Sequence, residues 1–197
     1  MKARIAVLAS GNGSNLQAIL DHFAALGDAA SGEVVVVASN RAGAGALERA
    51  RNAGIDSLVF DARSEDDLAR IVTGRNIQVI ALAGYLRLIP ASVIEKFRGR
   101  IVNVHPAPLP GFGGPGMYGA HVHEAVLAAG LHETAVTVHL VTEQYDEGPP
   151  LAMWPVPVLE NDTAATLAAR VLRVEHVIFP RILDALAATV MQRADVY

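Results

Sequence analysis

Asn103 and His105 are the residues whose types and spacing first suggest chemistry. They lie two apart in the stretch Ile101-Val102-Asn103-Val104-His105-Pro106. In an extended chain such residues point to the same side. Pro106 lacks an N–H and biases its predecessor away from helix, so His105 is held extended. An amide and an imidazole then face one spot, suited to polarising a carbonyl and handling a proton. Taken alone, Asn-x-His is more often a strand end with two incidental polar residues. Asp146 adds a third group from an acidic turn, 142–149, that follows a later strand. A carboxylate near His105 favours the imidazolium and raises its pKa. Amide, imidazole and carboxylate together suit attack of an amine on an acyl carbon.

The elements that must position these groups read as alternating strands and helices. Ile5 to Ala9 is a continuous apolar run, the pattern of a strand buried on both faces. The turn Ser10-Gly11-Asn12-Gly13-Ser14-Asn15 follows, then a helix from Leu16 to Ala25. Strand, glycine turn and helix is an arrangement that binds phosphate through first-turn N–H groups. Ser14 or Asn15 is placed to cap that turn or to bond phosphate. The turn lacks the Gly-Lys-Ser/Thr of a Walker loop, and Leu16 stands where a dinucleotide fingerprint needs its third glycine. The competing reading is an ordinary tight turn with a helix cap.

Further strands are expected at Val34–Ala38, Leu58–Phe60, Ile77–Ala83 and Ile101–Val104, with helices at Ala44–Ala53, Ser64–Thr73 and Ala91–Phe97 between them. This rhythm indicates an α/β, doubly wound, mostly parallel open sheet, whose ligands sit beyond the strand carboxyl ends. Leu86-Arg87-Leu88-Ile89 leaves the fourth strand and suits the wall of a pocket for a flat heteroaromatic ligand. Residues 106–119 form a long loop rich in proline and glycine. A helix runs from about Gly119 to Ala129. On it, His121 is placed toward the pocket and His123 at a partly exposed helix start. They do not face each other, so no metal site is read there. Ala135–Val141 and Leu151–Val158 form an antiparallel hairpin, with Pro155 and Pro157 marking the edge. Asp162-Thr163 caps a long C-terminal helix to about Ala188. Glu175 interrupts its apolar pattern and faces either solvent or a ligand, solvent being the commoner case.

Bulk composition narrows the function. A length of 197 residues suits one domain, and 52% hydrophobic content is enough for a sizeable core. The net charge of −4 argues against a nucleic-acid surface, so any phosphate must be held by local geometry. There are no cysteines, which removes thiol catalysis and zinc–thiolate sites. The opening apolar run ends at Ser10-Gly11, too short for a membrane span, and is read as the first strand.

Six motifs, in order, give the chain a resemblance. They are Ser-Gly-Asn-Gly-Ser-Asn-Leu-Gln at 10–17, Ala-Gly-Tyr-Leu-Arg-Leu-Ile at 83–89 and Asn-Val-His-Pro-Ala-Pro-Leu-Pro at 103–110. To these are added Gly-Met-Tyr-Gly-Ala-His-Val-His-Glu-Ala-Val at 116–126, Asp-Glu-Gly-Pro at 146–149 and Val-Glu-His-Val-Ile-Phe-Pro at 174–180. Together they make the chain resemble the phosphoribosylglycinamide formyltransferase family of the folate-dependent formyltransferases. The resemblance implies a single Rossmann-like formyltransferase domain over 1–197. Its lobe at about 1–100 would bind phosphate, and its lobe at about 101–197 would be catalytic and folate-binding. It has an antiparallel C-terminal edge hairpin and a long C-terminal helix.

The resemblance also implies roles. His105 is the general acid, Asn103 polarises the formyl oxygen, and Asp146 raises the histidine pKa and assists proton transfer. Backbone N–H groups of Gly13, Ser14, Asn15, Leu16 and Gln17 hold the ribonucleotide phosphate, and Glu175 binds the glycinamide ribonucleotide. Leu86, Arg87, Leu88, Ile89, the 142–146 turn and Asn103 take the folate, and Arg63 contacts its far end. His139 matches a family histidine near the site. The co-substrate is 10-formyltetrahydrofolate, with no metal, nucleic acid or membrane, in a cytoplasmic monomer or homodimer of purine biosynthesis. The alternatives are a formyltetrahydrofolate hydrolase and a non-enzymatic folate or nucleotide binding module. Ala107-Pro108 and Glu147 depart from the family pattern, which puts the loop after His105 and the turn beside the pterin in question.

Overall fold

The computed structural model describes residues 1–194. Its strands are β1 (Ala3–Leu8), β2 (Gly32–Ser39), β3 (Asp56–Val59), β4 (Val79–Leu82), β5 (Ile101–His105), β6 (Glu133–Leu140) and β7 (Pro150–Pro157). Its helices are α1 (Ser14–Leu26), α2 (Gly45–Asn52), α3 (Glu65–Gly74), α4 (Ala91–Lys96), α5 (Ala120–Ala128) and α6 (Ala164–Ala194), with a single 3-10 turn at Gly27–Ala29. Each expected element exists, with ends moved by one to a few residues. The largest change is α6, which runs past Ala188 to Ala194.

The strands form one sheet in the order β3-β2-β1-β4-β5-β6-β7. β1 to β5 pair in parallel, and β6 and β7 are antiparallel. Alternation along β1 explains the layers. Ile5 and Val7 join the core beneath α1, α5 and α6, while Ala6 and Leu8 join the core beneath α3 and α4. β7 is the sheet edge, as Pro155 and Pro157 require.

α6 buries Leu167, Val171, Phe179, Leu183 and Ala187, and Glu175 occupies the missing place in that four-residue stripe. At its start, the Thr163 hydroxyl accepts the Thr166 N–H at 3.2 Å, the expected cap.

The strand order reverses at β1, between β2 and β4, which is where an open α/β sheet leaves a crevice. Ser10 stitches that point together. Its N–H donates to the Gly84 carbonyl at 3.1 Å, and its hydroxyl donates to Asn40 Oδ1 at 2.8 Å. The same hydroxyl accepts the Leu86 N–H at 3.3 Å. The ends of β1, β2 and β4 are thereby fixed relative to one another.

Candidate active site

β5 delivers Asn103 and His105 to one side, as their spacing requires. In the ladder with β6, Asn103 lies opposite His139 and His105 opposite Thr137. The Thr137 hydroxyl donates to the Ala107 carbonyl at 2.8 Å, which fastens the chain just after His105. That buried bond holds the imidazole where Pro106 aims it.

Tautomers follow from partners that can only accept. His105 Nε2 lies 2.7 Å from the Phe112 carbonyl, so Nε2 carries a hydrogen. Nδ1 then faces Asp146 Oδ2 at 3.6 Å and is where a proton comes and goes. His139 Nδ1 donates to the Leu140 carbonyl at 2.9 Å, leaving its Nε2 as acceptor. The Asn103 amide donates to that Nε2 at 3.1 Å, with its second N–H still free for a ligand. His139 Nε2 is also 3.5 Å from Asp146 Oδ1, so this ring joins two of the three expected groups.

The electrostatics are a contest between burial and charge. Burial holds the His105 pKa below its ordinary value; Asp146 and the Phe112 carbonyl pull upward, and His139 adds to the lowering. The expected upward pull of Asp146 is therefore present, but desolvation outweighs it and the net direction is down. For Asp146, burial pushes upward. His139, His105 and the Gly114 N–H, which donates to Oδ2 at 3.0 Å, more than offset it, so the carboxyl sits below the ordinary range. Asp146 adopts a left-handed backbone, φ 57°, which Asp tolerates better than most residues.

A second polar pair faces the same space. Asn15 donates to Glu175 Oε2 at 2.6 Å, and both residues are buried. Burial raises the Glu175 pKa, with Asn15 opposing. Asn15 Oδ1 is buried without a partner. Glu175 therefore points inward, against the commoner solvent-facing reading. The expected capping role of Ser14 or Asn15 is not seen. The helix begins at Gly13, in a left-handed conformation (φ 79°), with no side-chain cap bond. A side chain at Gly13 would also collide with Ala46, 2.7 Å from its Cα. The N–H groups of Ser14, Asn15 and Leu16 are thus left without an intrahelical partner, whereas the Gln17 N–H, expected to serve a phosphate, donates to the Gly13 carbonyl at 2.9 Å. Arg49 secures the turn through the Asn12 carbonyl at 2.9 Å and Gln17 Oε1 at 3.2 Å.

One cavity of about 440 Å³ connects these groups. Leu82, Leu86, Leu88, Ile89 and Val141 give it an apolar wall, with Arg87 at its side. Asn103, His105, His139 and Asp146 line it, and so do Asn15 and Glu175. Its size, and a lining that sets an apolar wall against convergent polar groups, suit a small organic ligand. Ser14 and Gln17 instead line a second cavity across α1, with Arg49, His176 and Arg181. The Leu16 side chain belongs to the core, so what it offers a ligand is its backbone. Arg63 is exposed and is not brought to the cavity; its N–H bonds to Asp61 Oδ1.

The two α5 histidines exchange their expected places. His123 is 5% exposed and lines the cavity, whereas His121 is exposed beside Glu124. The signal was in the helix period: position 123 shares a face with Val126 and Leu127, and 121 with Glu124 and Ala125. Thr137 and the Phe112 carbonyl were not singled out at all. The first reads as an ordinary β-branched strand residue, and the second is backbone.

A family model described as formyl transferase matches residues 3–183. The chain is 41% identical over 192 residues to the chloroplastic phosphoribosylglycinamide formyltransferase of Vigna unguiculata. That alignment covers 94% of this chain and 61% of the plant protein, so the chain spans about three fifths of that curated relative's length. A crystal structure of phosphoribosylglycinamide formyltransferase from Brucella melitensis matches with TM-score 0.86 and 42% identity, covering 95% of this chain and 97% of that one. Glycinamide ribonucleotide transformylase 1 from Symbiobacterium toebii matches with TM-score 0.85 and 40% identity, over 94% of this chain and 88% of that one.

Proposed function

The chain belongs to the formyl transferase family, and on that premise we propose that it transfers a formyl group from 10-formyltetrahydrofolate to the amine of glycinamide ribonucleotide. The reading rests above all on one cavity lined both by Asn103, His105 and Asp146 and by the buried Asn15–Glu175 pair. An acyl transfer between two bound small molecules needs groups for the chemistry and groups that hold the acceptor.

The amine attacks the formyl carbon, and negative charge grows on the formyl oxygen. The free Asn103 N–H and a protonated His105 Nδ1 stabilise that oxygen, in a site where few waters compete. As the carbon–N10 bond breaks, His105 supplies the proton that N10 needs. Asp146 favours the imidazolium and holds it in place. Since Nε2 is already committed to Phe112, Nδ1 is the working nitrogen.

Glu175 and Asn15 Oδ1 offer acceptors to ribose hydroxyls. The phosphate takes the N–H groups of residues 13–16, with the cations Arg49 and Arg181 nearby. The pterin lies against the wall of Leu86, Leu88 and Ile89, beside Arg87 and the 142–146 turn. On this reading the lobe at about 1–100, expected to bind phosphate, also supplies the pterin wall, and the lobe at about 101–197, expected to be catalytic and folate-binding, also supplies Glu175 to the ribonucleotide. The name of another relative, the trifunctional purine biosynthetic protein adenosine-3 of Drosophila melanogaster, supports a place in purine biosynthesis. Among the described residues, no helix is long and apolar enough to cross a membrane. We assign the protein to the cytoplasm as a monomer or homodimer, which fractionation and light scattering would check.

The test supplies 10-formyltetrahydrofolate with and without glycinamide ribonucleotide and follows both products. Formylation strictly dependent on the amine is expected. Folate release at the same rate without amine would make the protein a hydrolase. No turnover with intact folate binding would leave a binding module.

A further inference from the structure

The acceptor's phosphate needs a counter-charge fixed in place. Backbone N–H groups at a helix start carry only partial charge, and the chain has a net charge of −4, so the cation must be local. Two guanidiniums line the cavity beside the turn, Arg49 on α2 and Arg181 on α6, and they are held differently. Arg181 is exposed and, among the described residues, its side chain makes no hydrogen bond. Arg49 is partly buried and anchored twice. Its Nε donates to the Asn12 carbonyl at 2.9 Å, and its Nη1 donates to Gln17 Oε1 at 3.2 Å.

The packing of α2 dictates this placement. The Ala46 N–H donates to the Gly11 carbonyl at 3.2 Å, and a Cβ at Gly45 would lie 3.0 Å from Asn12 Oδ1. Gly45 and Arg49 are four residues apart, so Arg49 projects from the face that meets the turn. Gln17 is itself oriented, since its Nε2 donates to Asp21 at 2.9 Å and turns Oε1 toward Arg49. Both anchors of Arg49 are neutral acceptors. Among the described residues no carboxylate pairs with it and Nη2 has no partner, so its charge is uncompensated and already oriented. The first turn of α1 links this cation to the catalytic cavity. Asn15 lines that cavity, 9% exposed and with Oδ1 unpartnered, while the adjacent Ser14 lines the cavity of Arg49.

We propose that Arg49 is the residue that makes the enzyme specific for a phosphorylated amine. Its anchored nitrogens hold the turn, and its free Nη2 donates to a phosphate oxygen of the acceptor. The inference rests on the transferase reading above.

The test measures kcat and KM for glycinamide ribonucleotide, and the inhibition constant of the dephosphorylated riboside, in wild type, Arg49→Gln, Arg49→Lys and Arg51→Gln. Arg51 is exposed on the same helix, so its loss changes net charge alone. Arg49→Gln should raise KM about 10- to 100-fold, with kcat and the riboside constant each changed less than about threefold. Arg49→Lys keeps the charge without the planar fork and should fall between. Arg51→Gln should match wild type. Equal weakening of ribonucleotide and riboside would show that Arg49 only shapes the turn, and would overturn the proposal. An unchanged KM, or an equal rise in Arg51→Gln, would overturn it as well. Should Arg49→Gln also lose folate affinity, as a misfolded chain would, Arg49→Lys decides by the same comparison. A wild type that formylates no amine would instead defeat the transferase reading.

Discussion

Asp146 and Glu175 line the same cavity, and their surroundings differ in kind. Asp146 is faced by two imidazoles and one backbone N–H, and keeps its charge although partly buried. Glu175 is set in the apolar stripe of α6 with one amide partner, and is pushed toward its neutral form. Burial acts on both in the same direction, so the polar groups around each carboxyl decide the outcome. A carboxylate that must stabilise a cation needs its donors built in. One that meets ligand hydroxyls can leave its acceptors unfilled until the ligand arrives.

If that contrast is functional, the two acids should fail differently. Asp146→Asn should give the largest effect, a fall of about 10²–10⁴ in kcat with little change in ribonucleotide KM. His105→Ala should match it, since the two act as one unit, and the double variant should fall scarcely further. Steady-state kinetics with both substrates decides this, and additive losses would break the pairing. Glu175→Gln should come next, raising KM for the ribonucleotide by about tenfold and altering kcat little. One imperfectly replaced polar contact costs about 1–2 kcal/mol. A kcat loss as large as that of Asp146→Asn would place Glu175 at the chemistry and erase the distinction.

The fold was legible because its signals are local. Buried strands such as Val34–Ala38 are continuous β-branched runs, and Pro155 with Pro157 admits an edge strand and little else. Asn103 and His105 were legible for the same reason, since two residues in one strand share a face by geometry alone. Asp146 was legible as a candidate, but its 3.6 Å approach to His105 depends on how β5 and β6 pair across a separation of dozens of residues. Glu175 illustrates a different limit. Its place four residues from both Val171 and Phe179 predicted a buried side chain, yet the general rarity of buried carboxylates argued for solvent. Asn15, remote in sequence, resolves the conflict by partnering it. His123 was misplaced because a position near a helix start was weighted above the face it shares with Val126 and Leu127. His121, on the opposite side, finds Glu124 and water.

The smallest expected effect concerns stability, and its sign separates the two acids. Glu175 has a folded pKa above its unfolded value. Its contribution is fully present below about pH 4.5 and is lost as pH rises through the folded pKa. Glu175→Gln removes that titration, so its melting temperature relative to wild type should rise with pH and then level off. Asp146 has a folded pKa below its unfolded value. Its contribution is present above about pH 3.8 and is lost as pH falls. Asp146→Asn should therefore be least stable relative to wild type near neutrality, with the gap closing in acid. Each kcal/mol moves the midpoint of a chain this size by about 2–4 °C, so melts across the pH range resolve the trend. Parallel pH dependence in the two variants would mean that the carboxylates share one environment, and that the division between a charged catalytic acid and a neutral binding acid is wrong.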